Sequence, residues 1–354
     1  MKLLVTGGAG FIGSHVVDAC LRAGHAVWVL DDLSRGKREN VNTRANFIRM
    51  DLRSPEVRDV LASGAFDAVI HHAAQIDVRV SVADPIRDAT VNVIGTLNLL
   101  EAVRVTGVPR FLFASTGGAI YGKQRHFPAP EQHPTQPLSP YGVAKLAVEH
   151  YLEYYHQVHG LDYVVLRYAN VYGPRQDPQG EAGVIAIFCE RILGRQHLVI
   201  YGDGAQTRDY VHVEDVARAN VLALTYLESS RQQTVGSGQH TASDEQNGRR
   251  APGASLPTTN CQLPTSTFNI GTGIETSVNA LAALLVQAAD VDCRFVYQPP
   301  RTGEQLRSAI DPSLAKQVLG WTPLIAVEEG LLGTMAWFRT RLAARRPSVV
   351  GGLR

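Results

Sequence analysis

The stretch Ser139-Pro140-Tyr141-Gly142-Val143-Ala144-Lys145 places a phenol one helical turn before an ammonium. Ser139 suits a helix cap and Pro140 a first turn, so Tyr141 and Lys145 should share one helical face. A free phenol titrates near pH ~10, too high for a base at neutral pH, and a neighbouring cation favours its ionised form. Such a pair can take a proton from a sugar or alcohol hydroxyl. An isolated Tyr-x-x-x-Lys spacing arises by chance, and alone it would mean a half-buried Tyr and a solvated Lys. The pair acquires chemistry only from what surrounds it.

The elements around it are those of a nucleotide-binding protein. Met1 to Thr6 reads as a short apolar strand that runs into Gly7-Gly8-Ala9-Gly10-Phe11-Ile12-Gly13 and then a helix from Ser14 towards Arg22. The glycines read as G-x-x-G-x-x-G (Gly7, Gly10, Gly13) or G-x-G-x-x-G (Gly8, Gly10, Gly13), and both let a pyrophosphate approach backbone at a helix N-terminus. A second strand, Ala26 to Leu30, ends in Asp31 at the spacing of a carboxylate that holds an adenosine ribose. Asp31 would repel a 2′-phosphate, which sets the expectation at NAD over NADP; Arg35, Lys37 and Arg38 follow closely and pull the other way.

Further apolar runs, Phe47 to Met50, Ala68 to His71 and Phe111 to Ala114, each end in a loop: Asp51-Leu52, His72-Ala73-Ala74 and Ser115-Thr116-Gly117-Gly118. Helical patterns lie between them, notably Val91 to Val103, whose stripe Val93, Leu97, Leu100 and Val103 is expected in the core. This alternation predicts an α/β fold, a Rossmann-type doubly wound parallel sheet with a ligand across the carboxyl ends of its strands. His71 and His72 end an apolar strand with no third ligand in view, so strand-end histidines with satisfied hydrogen bonds are expected rather than a metal site.

With these motifs on the page, the chain resembles the extended short-chain dehydrogenase/reductase family, and within it the UDP-glucose 4-epimerases. The resemblance also rests on Leu166 to Gln176, on Gly202-Asp203-Gly204 and on Arg208 to Val216, and it covers almost the whole chain. It implies a tightly held NAD, contacted by Gly7, Gly10, Phe11, Ile12, Gly13, Asp31, Asp51, Leu52, Ala73, Ala74, Tyr141, Lys145 and Tyr168. It implies that Tyr141 removes the proton of a sugar 4-hydroxyl, that Lys145 lowers the Tyr141 pKa, and that Thr116 hydrogen-bonds the reacting oxygen, with Ser115 as the other candidate. The commoner family pattern has a serine one position later, where this chain has Gly117.

For the substrate, a UDP-sugar, the resemblance implies contacts from Thr116, Asn170, Gly183, Val184, Tyr201, Arg208, Arg301 and Glu304. It places Ser308 where members restricted to plain hexoses carry a bulky tyrosine, which implies room for an N-acetyl group. Related 4,6-dehydratases carry acidic residues directly after the hydroxyl residue, where this chain has Gly117-Gly118, so epimerisation is favoured over dehydration or decarboxylation, with a uronate 4-epimerase as a further alternative. A non-catalytic NAD-sensing protein would need neither Tyr141 nor Lys145. A homodimer is implied, joined through the helix carrying Val93 and the helix carrying Tyr141.

Composition bounds the remainder. With 354 residues, of which 45% are apolar, the chain can fill a large core divided into two lobes. The sequence reading assigns 1–175, with 211–227 and 267–273, to the cofactor lobe, and 176–210 with 274–345 to a smaller C-terminal α/β substrate lobe. The polar stretch 228–266, rich in Ser, Gln, Gly and Thr, reads as a flexible insertion. The net charge of +1 gives no reason to expect nucleic acid or an anionic membrane as partner. Without a leader or a long apolar span, a cytoplasmic protein is expected. Cys20, Cys189, Cys261 and Cys293 lack metal-ligand spacing and read as reduced thiols.

Overall fold

A computed structural model describes residues 1–179, 183–238, 266–300 and 305–345 of the chain. Arg301, Glu304, Cys261 and the part 239–265 of the expected insertion lie outside the described residues. The strands are β1 (Lys2–Thr6), β2 (Ala26–Asp31), β3 (Asn46–Arg49), β4 (Ala68–His71), β5 (Arg110–Thr116), β6 (Asp162–Tyr168), β7 (Asn170–Tyr172), β8 (Leu198–Tyr201), β9 (Thr207–Arg208), β10 (Tyr210–His212), β11 (Ser266–Ile270), β12 (Thr276–Ser277) and β13 (Phe295–Gln298).

Seven of these form one sheet in the order β11-β6-β5-β4-β1-β2-β3, every pair parallel. The chain starts in the middle and winds first one way and then the other, so the order reverses between β1 and β4. At that switch point the carboxyl ends open a crevice. The strand sequences explain the layering. β4 and β6 are buried along their whole length, which a sheet covered on both faces requires. The helices Phe11–Arg22 and Val213–Gly238 cover one face, and Val57–Gly64, Gly95–Thr106 and Pro140–His159 cover the other.

A third apolar cluster, including Phe188, Leu198, Leu281, Leu285, Met335 and Phe338, forms the smaller lobe. Its helices Val184–Leu193, Val278–Ala289 and Val327–Arg345 pack with the parallel pair β8 and β13. Within the stretch 274–345, however, Ala315, Leu319 and the fully buried Trp321 pack into the cofactor-lobe core, and the Trp321 indole donates to the Asp215 carbonyl.

Two local expectations are corrected. The first part of the expected flexible insertion, from 228 on, continues the helix Val213–Gly238, because residues such as Gln232 and Gln233 keep good helix propensity after the apolar stripe stops. The helix expected over Val91–Val103 is α-helical only over Gly95–Thr106, and a π-turn occupies Thr90–Ile94. That extra residue per turn rotates the face. Asn92 is thereby buried, its amide donating to the Asp88 carboxylate (3.0 Å) and the Gln75 carbonyl (2.9 Å) while its oxygen accepts from the Gln75 N–H (2.8 Å). Val93 and Leu97 are left half-buried, and Leu99, Leu100 and Val103 carry the core contact.

The helix Pro140–His159 begins as its sequence requires. Ser139 Oγ accepts the Gly142 N–H at 3.2 Å, with Pro140 in the first turn. Its position against the sheet is set by charge. Glu149 on this helix receives Arg167 of β6 through Nη2 (2.6 Å) and Nε (3.1 Å), and it also accepts the Ser115 hydroxyl of β5 at 2.5 Å. Arg167 further donates to the Tyr121 hydroxyl, which donates to Asn269 of β11. Breaking a buried pair by removing one partner leaves an uncompensated charge and costs ~3–5 kcal/mol. Arg167→Met should therefore lose stability on that scale in urea unfolding, and adding Glu149→Gln should return part of the loss. Losses that simply add would show that the pair does not act as a unit.

Candidate active site

The glycine run is built for close approach. Gly7 has φ +69, and a Cβ there would lie 2.5 Å from the Ala73 nitrogen; a Cβ on Gly13 would lie 2.2 Å from the Gly7 carbonyl oxygen. The conflict at Gly8 is with the Val29 side chain at 2.9 Å, so Gly7 and Gly13 are the positions that backbone contacts dictate. The turn hands the chain to the helix Phe11–Arg22, whose first N–H groups face a cavity of about 320 Å³.

Around this cavity the expected cofactor residues gather. Gly7, Gly10, Phe11, Ile12 and Gly13 form its floor. Asp31, Asp51 and Leu52 stand at one end, Ala73 and Ala74 along the side, and Tyr141, Lys145 and Tyr168 at the other end. The buried Asp31 accepts the Ala9 N–H at 3.0 Å on one oxygen and the Leu33 N–H at 2.9 Å on the other. Burial holds its carboxyl above the usual range, and each oxygen keeps a lone pair for a ribose hydroxyl. A glycine cradle, an exposed helix N-terminus and a carboxylate at the far end together fit an adenine dinucleotide.

Tyr141 and Thr116 also line a second cavity, of about 590 Å³, which shares Ser115 and Tyr168 with the first. Tyr141 therefore stands at the junction of the two. Lys145 is buried behind it, its Nζ 5.9 Å from the Tyr141 ring centroid, 4.7 Å from that of Phe113, and donating to the Ala114 carbonyl at 2.9 Å. Burial lowers the Lys145 pKa to about 8, against the upward pull of the Asp88 and Glu149 carboxylates.

The expected downward pull of Lys145 on the Tyr141 phenol is not found in the protein alone. Burial pushes Tyr141 up, and the Asp88 carboxylate adds to that. Part of the ring surface remains open to the cleft, yet protein atoms crowd it densely enough for desolvation to set the direction.

The two hydroxyls differ in their partners. Both residues line the second cavity, but Ser115 Oγ donates to Glu149. A Cβ on Gly118 would lie 3.5 Å from Asn170 Oδ1 and 3.9 Å from Thr116 Oγ1, so these two polar groups converge beside Gly118. A Cβ on Gly117 would meet Ile310 Cδ1 at 2.6 Å, so a serine there would require the end of the Ile310 side chain to move.

Of the expected substrate residues, Thr116, Asn170, Gly183, Val184, Tyr201 and Arg208 line the second cavity. Ser308 does not; it is 2% exposed and lies outside the lining of both cavities, so its small size does not by itself open the sugar site. Arg191, Phe188 and Gln176 line the cavity without having been singled out in the sequence. Arg191 and Phe188 were within reach of a periodicity argument, because Val184, Phe188 and Arg191 fall on one helical face. Arg191 and Arg208 are the charged residues of this lining, and among its described residues none is acidic.

His71 is satisfied as expected, with Nδ1 2.6 Å from Thr6 Oγ1 and Nε2 2.9 Å from Thr96 Oγ1. His72 instead stacks on Tyr168, with ring centroids 6.1 Å apart. No group of three or more metal-ligating side chains occurs among the described residues.

Comparison with known proteins agrees with this geometry. A UDP-glucose 4-epimerase of Mycolicibacterium smegmatis is 41% identical over 96% of this chain and 99% of its own. The crystal structure of UDP-glucose 4-epimerase with UDP-glucose from Thermotoga maritima superposes with a TM-score of 0.83 at 45% identity, covering 97% of this chain and 100% of that one. A UDP-N-acetylglucosamine 4-epimerase from Methanobrevibacter ruminantium, solved with UDP-N-acetylmuramic acid, gives a TM-score of 0.80 at 32% identity, covering 96% and 98%. Residues 3–236 match the profile of the NAD dependent epimerase/dehydratase family, and the chain belongs to that family.

Proposed function

We propose that the protein is a UDP-hexose 4-epimerase that interconverts UDP-glucose and UDP-galactose with NAD held in the first cavity. The observation that carries this reading is the position of Tyr141 and Thr116 where the dinucleotide cavity meets a second cavity whose charged lining residues are arginines. When bound, NAD supplies the reversible hydride acceptance that oxidising and re-reducing one sugar carbon requires. Tyr141 takes the proton of the sugar 4-hydroxyl and later returns it, and Thr116 hydrogen-bonds the same oxygen. Lys145 contributes positive charge and contacts the cofactor ribose. Arg191 and Arg208 suit the diphosphate, as guanidinium groups match phosphate oxygens in pairs, and Tyr201 offers a ring for the base to stack on.

The N-acetylated pair is a second substrate reading, and the similarity to the Methanobrevibacter ruminantium enzyme supports it. Dehydration is disfavoured by Gly117 and Gly118, which stand where an acid would have to follow the hydroxyl residue, and by the lack of acidic side chains among the described lining of the second cavity.

The surface supports a homodimer. Val82 and Ile86 are 62% and 79% exposed, and Tyr154 and Val158 49% and 59%, on neighbouring helices where none of the described residues covers them. Together with its nucleotide-sugar chemistry we place the enzyme in the cytoplasm; no helix among the described residues is long and apolar enough to cross a membrane.

Tyr141→Phe should retain NAD and lose turnover of UDP-glucose to UDP-galactose by ~10²–10⁴-fold, the usual effect of a lost general base. Near-normal turnover by product chromatography would remove Tyr141 from the chemistry. Because the Asp88 carboxylate raises both the Tyr141 and the Lys145 pKa, Asp88→Asn should lower both. Both limbs of the kcat/KM profile should then move to lower pH, and limbs that stay in place would show that Asp88 does not reach the pair. In sedimentation velocity the protein should run as a dimer, and Tyr154→Glu with Val158→Glu should give monomers; a monomeric parent would refute the interface.

A further inference from the structure

Three basic residues follow Asp31, and the fold treats each differently. Arg35 lines the dinucleotide cavity beside Asp31. Arg38 lies over the Phe47 ring, 4.7 Å from its centroid. Lys37 points the other way, its Nζ 2.9 Å from Asp177 Oδ2, and it lines a separate small cavity with Arg341 of the helix Val327–Arg345. Yet the Lys37 backbone sits beside the ribose position. Its N–H donates to the Ala9 carbonyl at 2.9 Å, while the Ala9 N–H donates to Asp31. Lys37 and Asp31 thus hang from one residue, within the reach of a lysine side chain.

Asp177 is held in place by the segment before it. Arg175, in the left-handed region at φ 70, pairs with Asp18 at 2.8 Å and donates to Ser14 Oγ at 3.1 Å, and the Pro174 carbonyl meets His15 Nε2 at 2.9 Å. This segment leaves the sheet for the smaller lobe and is pinned along the dinucleotide-binding helix on its way.

We propose that Asp177 is a cofactor-specificity residue: by holding Lys37 away from the adenosine ribose it leaves Asp31 to repel a 2′-phosphate. A dianionic phosphate met by Arg35 alone does not outweigh the carboxylate, whereas one met by Arg35 and Lys37 together would. Selectivity for NAD over its 2′-phosphorylated form then depends on a residue of the connection between the lobes. This inference rests on the reading of the first cavity as the dinucleotide site.

The test is the composition of bound cofactor. Protein equilibrated with equal NAD and NADP is desalted and denatured in acid, and the released nucleotides are quantified. The parent should release NAD almost alone. Asp177→Asn should raise the NADP to NAD ratio by about tenfold, the worth of one charge-assisted hydrogen bond. Asp177→Glu should keep the parent ratio, and Lys37→Met added to Asp177→Asn should restore it.

An unchanged ratio in Asp177→Asn would overturn the proposal, as would a rise that survives Lys37→Met. Were Asp177→Asn not to fold, Asp177→Ser removes the same charge and is read in the same way. A parent that releases neither nucleotide would refute the dinucleotide site itself, an outcome distinct from an unchanged ratio.

Discussion

The helix that carries Tyr141 and Lys145 is fixed by one buried ionic contact, Arg167 against Glu149. Everything the second cavity can do depends on the distance between that helix and the ends of β5 and β6. Apolar packing of Val148 and Leu152 supplies much of the attraction but little registration, since a helix can slide or turn on a greasy face at small cost. A carboxylate that must satisfy a guanidinium and a hydroxyl at once cannot slide. The same contact engages the Ser115 hydroxyl, while Thr116 at the next position lines the second cavity. The ion pair therefore sets where Tyr141 stands and occupies one of the two neighbouring hydroxyls.

Electrostatics divides the crevice into two halves of different character. Towards the adenosine end the lining carries both signs, with Asp31, Asp32 and Asp51 beside Arg35 and Arg53. Towards the sugar nucleotide the charged lining is cationic. At the junction the protein buries an ammonium and a phenol together, each against its preference: desolvation lowers Lys145 to about 8 and raises Tyr141. Asp88 tempers the first and aggravates the second. Its carboxylate is held by Gln75 and by Asn92 of the π-turn, so an irregularity in one helix reaches the chemistry on another.

What was legible in the sequence was what is local. The glycine turn, the cap at Ser139 and the Tyr141 to Lys145 spacing are each written in a few consecutive residues, and the alternating strands and helices fixed the sheet's class from periodicity. What could not be read depends on partners far along the chain. Nothing near Ser115 says that Glu149 will claim its hydroxyl, and nothing near Lys37 says that Asp177 will turn it away. The π-turn escaped because Val91 to Val103 keeps a helical pattern whichever ladder its hydrogen bonds adopt. Ser308 is small by sequence, but its 2% exposure belongs to the packing of the segment that runs on to Ile310 and could not be read from its type.

That same segment bears on why such a site would invert a carbon and do nothing more. Oxidation at the sugar C4 makes the hydrogen on the neighbouring carbon acidic, and any base placed against it would draw the sugar into elimination. Directly after Thr116 the chain has Gly117 and Gly118, and the buried Ile310 side chain packs on Gly117, held there by Asp209, which accepts the Ile310 N–H at 3.3 Å as well as those of Thr272 and Gly273. Glycines at that point add no carboxylate that could open a competing pathway. On the proposed reading the reaction stays narrow because, among the described residues, no acidic side chain lines the second cavity.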